Sequence, residues 1–369
     1  MSSSQTYSPF RSVLLREWRR MTSRRLYFGV CIILPLFTLF FMATIFGNGQ
    51  MENIPIGIVD QDNTASSRAI ARNISAVPTF KVTRHFVNEE AARKAVQKKE
   101  IYGYLSIPPK FEQDAISGKN ATLSYYYHYA LLSVGGELMA AFETSLAPVS
   151  LSPIVMQAVA LGVEQDKITT FLLPVQASNH PIYNPSLDYS VYLSQPFFFV
   201  LFQVLILLIT VYAVGIEIKF RTADEWLFVA KGNMVTAVLG KLLPYTIIFI
   251  LIGWLANYVM FGILHIPFQG SWLLMNMLTA LFVVATQALG LFLFSLFPAI
   301  SLIISIVSMV GSLGATLSGV TFPVTNMYPL VRDASYLFPV RHFTEMMQNM
   351  LYGGSGFIYL WPSVVILCI

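Results

Sequence analysis

The stretch EIKFRTADEWLFVAKGN, residues 217–233, is a short polar segment between two long apolar runs. Thr222 and Glu225 have the spacing of a capping box, in which each side chain satisfies a backbone N–H group at the start of a helix. Acidic residues follow this start, a lysine precedes the expected end, and Gly232 suits a left-handed helix terminus. The stretch therefore predicts a short amphipathic helix over residues 222–231. From periodicity alone, an ordinary loop whose helix merely rests on lipid headgroups is the simpler interpretation.

The composition of the 369-residue chain narrows its class. Hydrophobic residues make up 55% of the chain, charged residues only 11%, and the mean hydropathy is +0.62. Average globular chains carry about 25% charged residues. The composition therefore predicts a polytopic α-helical membrane protein, here with about six transmembrane helices.

Positive charge is concentrated at the start of the chain, where Glu17 is the one acid among several arginines. These arginines are Arg11, Arg16, Arg19, Arg20, Arg24 and Arg25. Such an excess beside a membrane span predicts a cytoplasmic N-terminus. Residues 1–25 also show helical spacing of apolar residues, including Trp18, which predicts an amphipathic interfacial helix attracted to anionic membrane lipid. The alternative is a topology signal without fixed structure. A nucleic-acid arm is disfavoured because no recognition motif follows.

Uncharged runs of spanning length define the membrane segments. Residues 26–46 form the predicted first transmembrane helix, and residues 196–369 hold the predicted helices two to six. The later spans are expected at 197–216, 234–264, 272–297, 299–319 and from 356 onward. Lys241 lies near the cytoplasmic end of the third span, where its stem is expected to snorkel. The last run is too short to span, so the sequence is expected to stop inside a sixth helix.

Residues 47–195 contain no spanning run and predict an inserted extracytoplasmic α/β domain with a helical second half. Strands are expected at 55–60, 80–86, 102–107 and 121–129, with helices at 63–75, 88–99 and after Pro108-Pro109. Asp60 is expected to end a strand, and Asp62 or Asn63 to cap the next helix, since no histidine or third acid at ligand spacing supports a metal site. Cys31 and Cys368 lie in apolar runs and are expected to be buried.

The opening stretch resembles the loop after the second membrane helix of ATP-binding-cassette (ABC) transporter permeases of the type-2 export class. Glu217, Thr222, Glu225 and Leu227 match the pattern E-R-x-x-G-T-x-E-x-L, while Arg221 replaces its glycine. The resemblance implies a coupling helix that docks on a separate ABC ATPase subunit. The implied docking residues are Glu217, Arg221, Thr222, Glu225, Trp226 and Leu227. The interfacial helix, with Arg16, Trp18, Arg19 and Arg20, would be gripped by the same ATPase.

A second match lies near the end of the chain, in SGVTFPVTNMYP and SYLFPVRHF. These segments resemble the family signature S-G-x-x-x-P-x-x-x-M-P and S-x-x-x-P-x-x-x-F. The matched residues are Ser318, Gly319, Pro323, Met327 and Pro339. The resemblance implies that residues 320–352 form short broken helices dipping into the outer leaflet. An ordinary outer loop with proline punctuation is the alternative.

The resemblance implies a permease subunit of an ATP-driven exporter in a bacterial inner membrane, of the multidrug efflux type. Its implied partners are ABC ATPase subunits carrying ATP and Mg²⁺, a second permease copy or homologue, and a periplasmic adaptor protein. Uncharged aromatic spans suit an amphiphilic, drug-like or lipid-like substrate. The candidate path residues are Phe197, Phe198, Tyr212 and Phe292, each of which is also explained by lipid contact or packing. No phosphate-loop or hydrolase motif occurs, so no catalytic residue, cofactor or metal is expected in this chain.

Two other functions remain open at this stage. One is a membrane-anchored sensor or receptor whose exported α/β domain has no transport activity and no ATPase partner. The other is a lipid-modifying enzyme using Asp333, His342 or Glu345 as acid–base groups. His342 and Glu345 lie three residues apart and share a helical face, but a structural salt link with Arg341 or a helix cap explains them more simply. Secondary transport is disfavoured because the spans lack acidic residues.

Overall fold

A computed structural model of the chain describes residues 8–45, 51–117, 119, 121–131, 133–146, 190–353 and 357–369. The chain divides into two compact units. One comprises Met1–Gly49 with Pro181–Ile369, and the other comprises Gln50–His180.

The first unit is built from helices whose apolar length suits a membrane. Its helices are α1 (Pro9–Ser23), α2 (Arg25–Ile45), α7 (Gln195–Lys219), α8 (Ala223–Val229), α9 (Met234–Asn257), α10 (Trp272–Leu296), α11 (Ile300–Leu317), α12 (Pro329–Ser335), α13 (Pro339–Gly353) and α14 (Phe357–Cys368). In the described part of the chain, five helices are long and apolar enough to cross a membrane. They are Arg25–Ile45, Tyr192–Lys219, Met234–Ile263, Trp272–Leu296 and Ile300–Leu317. The chain is therefore a polytopic helical membrane protein.

Helix α7 is the centre of this unit, because it packs against α2, α9, α10, α11 and α13. Small residues allow the close approach of its neighbours. A Cβ atom on Gly311 of α11 would lie 2.7 Å from Cγ2 of Val204, which is too close for any larger residue. Asn257 of α9 adds polar contacts by receiving a hydrogen bond from Gln195 (3.2 Å) and donating one to Thr279 (3.0 Å).

After α11 the chain breaks into short elements. A 3₁₀ turn at Val324–Asn326 is followed by α12 and α13. Gln203, in the middle of α7, accepts a hydrogen bond from the Val340 backbone N–H at 2.8 Å. This bond satisfies one of the N–H groups that the start of a helix leaves unpaired. The segment is thus tied to the central span.

The last helix is too short to span a membrane, as predicted from the length of its apolar run. Helix α14 has 12 residues, so it falls short of the about 20 residues that a spanning helix needs. Cys368, predicted to be buried, is exposed, whereas Cys31 is buried as predicted.

The second unit contains a four-stranded sheet of order β2-β1-β3-β4, in which β1 pairs in parallel with β2 and β3, and β4 is antiparallel to β3. Its elements are β1 (Ile54–Asp60), α3 (Ala65–Ser75), β2 (Phe80–Phe86), α4 (Glu89–Gln97), β3 (Gly103–Ile107), α5 (Phe111–Ile116), β4 (Ser124–Tyr127) and α6 (residues 133–146). All observed bounds of these strands lie within three residues of the predicted ones. Strands β1 and β3 are almost fully buried, as expected for parallel strands covered by crossover helices, whereas β2 at the edge of the sheet is mostly exposed. Residues 147–189 of the predicted domain lie outside the described residues, and residues 190–195 belong to the first unit.

The cap of α3 differs from the prediction. Thr64 is the N-cap and forms a capping box with Ser67. Asp60 ends β1 and its carboxylate accepts hydrogen bonds from the backbone N–H groups of Asp62 and Asn63, both at 3.0 Å. The two aspartates therefore hold the turn before the helix.

Candidate coupling site

Helix α8 is the predicted coupling helix, but its ends are built differently from the prediction. Thr222 stands at the N-cap without a side-chain capping bond, so the predicted capping box with Glu225 is wrong. The Thr222 hydroxyl instead donates to the Glu217 carboxylate. At the other end, the N–H groups of Lys231 and Gly232 donate to Phe228 and Leu227, respectively, which is the hydrogen-bond pattern of a Schellman motif.

Two non-glycine residues take the left-handed backbone conformation at the ends of α8. Lys231, and not Gly232 alone, closes the helix, with φ of 55° followed by 77° at Gly232. Arg221, which stands where the permease pattern has glycine, has φ of 55°. Left-handed backbone favours glycine because it has no Cβ atom. The left-handed backbone that accounts for the glycine of the permease pattern is therefore kept in this chain. Arginine adopts it at a cost in conformational energy.

A buried carboxylate lies directly below α8. Glu217, near the end of α7, is fully buried. Arg16 of α1 donates to both of its oxygens, from Nη1 at 2.7 Å and Nη2 at 3.2 Å, and Arg20 also donates to Oε1. Such a forked guanidinium–carboxylate contact orients both groups. The two arginines thus attach the N-terminal helix to the end of α7.

Lys241 of α9 completes the group. Its Nζ lies 2.6 Å from Oε2 of Glu17 and 2.7 Å from Oε1 of Glu217. The Tyr245 hydroxyl donates to Oε1 of Glu17 at 2.6 Å. Lys241 is fully buried, so the expectation that it snorkels towards water is wrong: two acids from other helices neutralise it in place.

We call Arg16, Glu17, Arg20, Glu217 and Lys241 the buried ion cluster. It joins α1, α7 and α9 through three cationic and two anionic groups. A buried ion pair contributes little net stability against an apolar replacement, but removing one partner is costly because the other charge remains buried. The cluster therefore specifies one arrangement of these three helices more than it stabilises the fold.

Trp226 attaches α8 to the same cluster. Its side chain is buried, and Nε1 donates to the Ala237 carbonyl oxygen at 3.1 Å. Lys241 Nζ lies 5.4 Å from the centre of the indole ring, within cation–π distance. Trp226 and Glu217, both predicted to contact the ATPase, lie inside this chain. Their position indicates that they hold the coupling helix in place.

The remaining predicted docking residues lie on the outer side of α8. Arg221 and Glu225 are exposed, and Thr222 and Leu227 are half-buried. Phe228, which the sequence motif did not single out, is 84% exposed and is the most prominent apolar residue of the helix. A cleft of about 730 Å³ beside it is lined by Ser12 of α1 and by residues of α8 and its C-terminal turn. Contact of this surface with an ATPase remains a prediction.

The arginines of α1 divide between two faces. Arg16 and Arg20 contact Glu217, whereas Arg19 is exposed and Trp18 is 48% exposed. The face towards α9 is formed by Val13, Glu17 and Met21, all buried. A Cβ atom on Gly240 would lie 3.0 Å from Cβ of Val13, which indicates how closely α1 and α9 approach. Placement of the outer face in the lipid headgroup region remains a prediction.

The predicted outer motif lies at the breaks between α11, α12 and α13. Ser318 is buried at the end of α11, and Gly319 has φ of 86°, a conformation that glycine adopts without strain. Pro323 precedes the 3₁₀ turn, Met327 follows it, and Pro339 begins α13. Short broken helices are thus found here. Their depth in the membrane remains a prediction.

The candidate acid–base residues have structural contacts. His342 is buried and its Nε2 lies 3.0 Å from the Tyr336 carbonyl oxygen, and burial lowers its pKa. Arg341 lies 3.7 Å from Glu345, in agreement with the expected salt link, and Ser363 donates to Glu345 at 3.1 Å.

The four candidate path residues do not line one cavity. Phe198 is fully buried against Phe202, whereas Phe292 is 59% exposed on α10. Phe197 is half-buried beside Phe198, and Tyr212 lies about 21 Å further along the α7 axis at about 1.5 Å per residue. Their role as a substrate path stays a prediction.

Sequence reasoning missed the partners of Lys241. The sequence held one signal for these partners, namely that a lysine inside a span needs a counter-charge. Glu17, the single acid of the basic segment, was counted only as an exception to the positive charge. Both residues turn out to be central to the site.

Comparison with known proteins agrees with this architecture. Residues 25–369 match the model of the family described as ABC-2 family transporter protein, and the chain belongs to this family. The family predicted from the motifs is thereby confirmed.

Two relatives from Escherichia coli (strain K12) show the extent of the similarity. The chain is 21% identical over 337 residues to the inner membrane transport permease YhhJ, covering 86% of this chain and 82% of that protein. It is also 21% identical over 364 residues to the probable multidrug ABC transporter permease YbhS, covering 97% of this chain and 92% of that protein. No solved structure matches the chain.

Proposed function

We propose that this chain is the membrane-spanning permease subunit of an ATP-driven ABC exporter. The observation that carries the proposal is the buried ion cluster, which ties α1, α7 and α9 together directly below α8. Family membership and the permease names of both relatives support the class. ATP and Mg²⁺ would be bound by a separate ATPase subunit.

The ATPase is proposed to dock on the outer side of α8, around Phe228 and Glu225, and on the neighbouring face of α1. An exposed aromatic residue beside a cleft is typical of an interface anchor. Movement of the docked ATPase would displace α8. Because Trp226 and the buried ion cluster attach α8 to α7, α9 and α1, these helices would move with it as one body.

The orientation and partners follow from the same proposal. The arginine-rich start supports a cytoplasmic N-terminus, with the chain in a bacterial inner membrane and the α/β unit outside. A second permease copy or homologue would complete the path, and a periplasmic adaptor would dock from outside. The substrate is proposed to be amphiphilic, drug-like or lipid-like. The word multidrug in the name of YbhS supports this substrate class.

The test is recovery of the ATPase with the purified chain. The tagged chain would be purified in mild detergent from its own host, and co-purifying proteins identified by mass spectrometry. Phe228→Asp should abolish recovery of an ABC ATPase, because it places a charge at the centre of the proposed contact. Val87→Asp is the matched control, since Val87 is 88% exposed in the α/β unit.

Two outcomes would overturn the proposal. Equal recovery with Phe228→Asp and Val87→Asp would refute the docking surface. Recovery of the native chain alone, from membranes that contain ABC ATPases, would refute the exporter and favour the sensor or receptor function.

A further inference from the structure

A second polar site lies among the broken helices, away from the buried ion cluster. A cleft of about 730 Å³ opens between the end of α11, α12 and α13. Its volume falls within the about 300–1,000 Å³ typical of small-molecule sites. Two arginines and two acids line it, namely Arg332, Arg341, Asp333 and Glu345, together with Tyr192 and Tyr336.

Arg341 is the unusual member of this cleft. Its side chain is only 8% exposed, yet Nε and Nη1 have no hydrogen-bond partner in the described part of the chain. The nearest acid, Glu345, is 3.7 Å away from Nη1, beyond hydrogen-bonding distance. The guanidinium lies 4.1 Å over the Tyr336 ring, which fixes its plane. A buried guanidinium with free N–H groups is costly unless an oxyanion or water occupies the space in front of it.

The charges of the cleft argue against a simple anion as its ligand. A purely anionic group that reached Arg341 would approach the carboxylates of Glu345 and Asp333. Glu345 has a half-exposed side chain and Asp333 is 67% exposed, so both are available to a cationic group. A ligand that carries both signs would match the lining better, because its phosphate meets guanidinium groups while its ammonium meets carboxylates.

The short elements that form the cleft also expose apolar residues, which we call the apolar rim. Tyr328, Leu330 and Leu337, on either side of and within α12, are each 74% exposed, and Phe322 is 49% exposed. Such a surface would be poorly solvated in water but suits hydrocarbon. A polar cleft that carries both positive and negative groups, together with an apolar rim, suits an amphiphilic ligand.

We propose that this cleft binds the zwitterionic phosphate–ammonium headgroup of a phospholipid. The phosphate is held by Arg341, with Arg332 at the entrance, and the ammonium group by Glu345. The acyl chains leave over the apolar rim of α12. The proposal requires only that the chain is a membrane protein, and does not depend on transport or on an ATPase.

The test is calorimetric titration of the purified full chain with three probes. These are short-chain phosphatidylethanolamine, short-chain phosphatidylglycerol and inorganic phosphate. The native chain should bind the ethanolamine lipid most tightly and free phosphate most weakly. Arg341→Gln should weaken binding of the ethanolamine lipid by about tenfold or more, because a charge-assisted hydrogen bond is lost. Arg72→Gln, an exposed arginine of the α/β unit, is the control and should leave it unchanged.

Glu345→Gln is a second test, because its effect should have opposite signs for the two lipids. The side chain is half-exposed, so the substitution should preserve the fold. It should weaken binding of phosphatidylethanolamine and strengthen binding of phosphatidylglycerol, since the carboxylate attracts the first and repels the second. Equal binding of all three probes by the native chain would overturn the zwitterionic assignment. Unchanged binding in both variants would overturn the site itself.

Discussion

Replacing Lys241 with methionine tests whether the buried ion cluster acts as one unit. Glu217 would keep Arg16, Arg20 and Thr222 as partners. Glu17, which is 1% exposed, would keep only the Tyr245 hydroxyl and Arg20 Nη1 at 3.8 Å. The cost therefore falls on Glu17, whose charge remains buried without a hydrogen-bonded cation. Removing one partner of a buried pair destabilises by about 3–5 kcal/mol.

A second substitution should recover part of this loss. In Lys241→Met with Glu17→Gln, the uncompensated carboxylate is removed and the amide can still accept a bond from Tyr245. The double variant should be about 2 kcal/mol more stable than Lys241→Met alone, because the two residues share one contact and removing the second charge ends its uncompensated burial. Lys219→Met, an exposed lysine at the end of α7, is the control and should change stability by less than about 0.5 kcal/mol.

The assay is equilibrium unfolding in mixed micelles, followed by circular dichroism, for the native chain and the three variants. The reasoning is refuted if Lys241→Met is as stable as the control. It is also refuted if adding Glu17→Gln lowers stability further, because the two residues would then act independently.

Three further predictions concern single contacts. Arg221→Gly should raise the free energy of unfolding by about 0.5–1 kcal/mol, because glycine adopts the left-handed backbone without strain. A melting temperature equal to or below that of the native chain would contradict this. Gln203→Leu should lower the free energy of unfolding by about 1–3 kcal/mol, because the buried Val340 N–H loses its acceptor. An unchanged melting temperature would contradict this. Burial lowers the pKa of His342, so the unfolded chain takes up a proton near pH 6.5 that the folded chain does not. The free energy of unfolding should therefore fall as the pH drops from about 7 to 5, by at most about 1.4 kcal/mol per pH unit for this group. His342→Gln should flatten the dependence of the melting temperature on pH across that range. The same dependence in the native chain and the variant would exclude the effect.

Helix α8 shows which structural features local sequence patterns predict and which they do not. The helix itself was predicted from its polarity and its flanking residues, and it lies within two residues of the predicted bounds. The capping box was wrong because the Thr222 hydroxyl lies against Glu217, one turn earlier, and donates to its carboxylate, while its oxygen accepts no N–H group of the helix. A charged acceptor buried beside the hydroxyl forms the stronger bond. Nothing in the local spacing reveals that Glu217 is buried.

The α/β unit shows the opposite case. Strands β1 and β3 were predicted to within one residue, because burial on both faces of a parallel strand leaves a mostly apolar run in the sequence. Its caps were less predictable, since Asp62, Asn63 and Thr64 are all suitable N-cap residues. The structure selects Thr64 because Ser67 lies three residues further on and completes the box.

The sequence by itself determined the class of the protein, the positions of its spans and its family. The class and the spans depend on local composition, since every backbone polar group of a membrane-spanning helix must be satisfied within that helix. The family was indicated by the matched motifs around Thr222 and Gly319. The tertiary structure alone decided which side chains meet. Lys241, Glu17 and Glu217 lie far apart in the chain, and only the packing of α1, α7 and α9 brings them within hydrogen-bonding distance. The same packing buries Trp226 and leaves Phe228 exposed, because a helix places only one side against its neighbours and its sequence does not state how those neighbours are arranged.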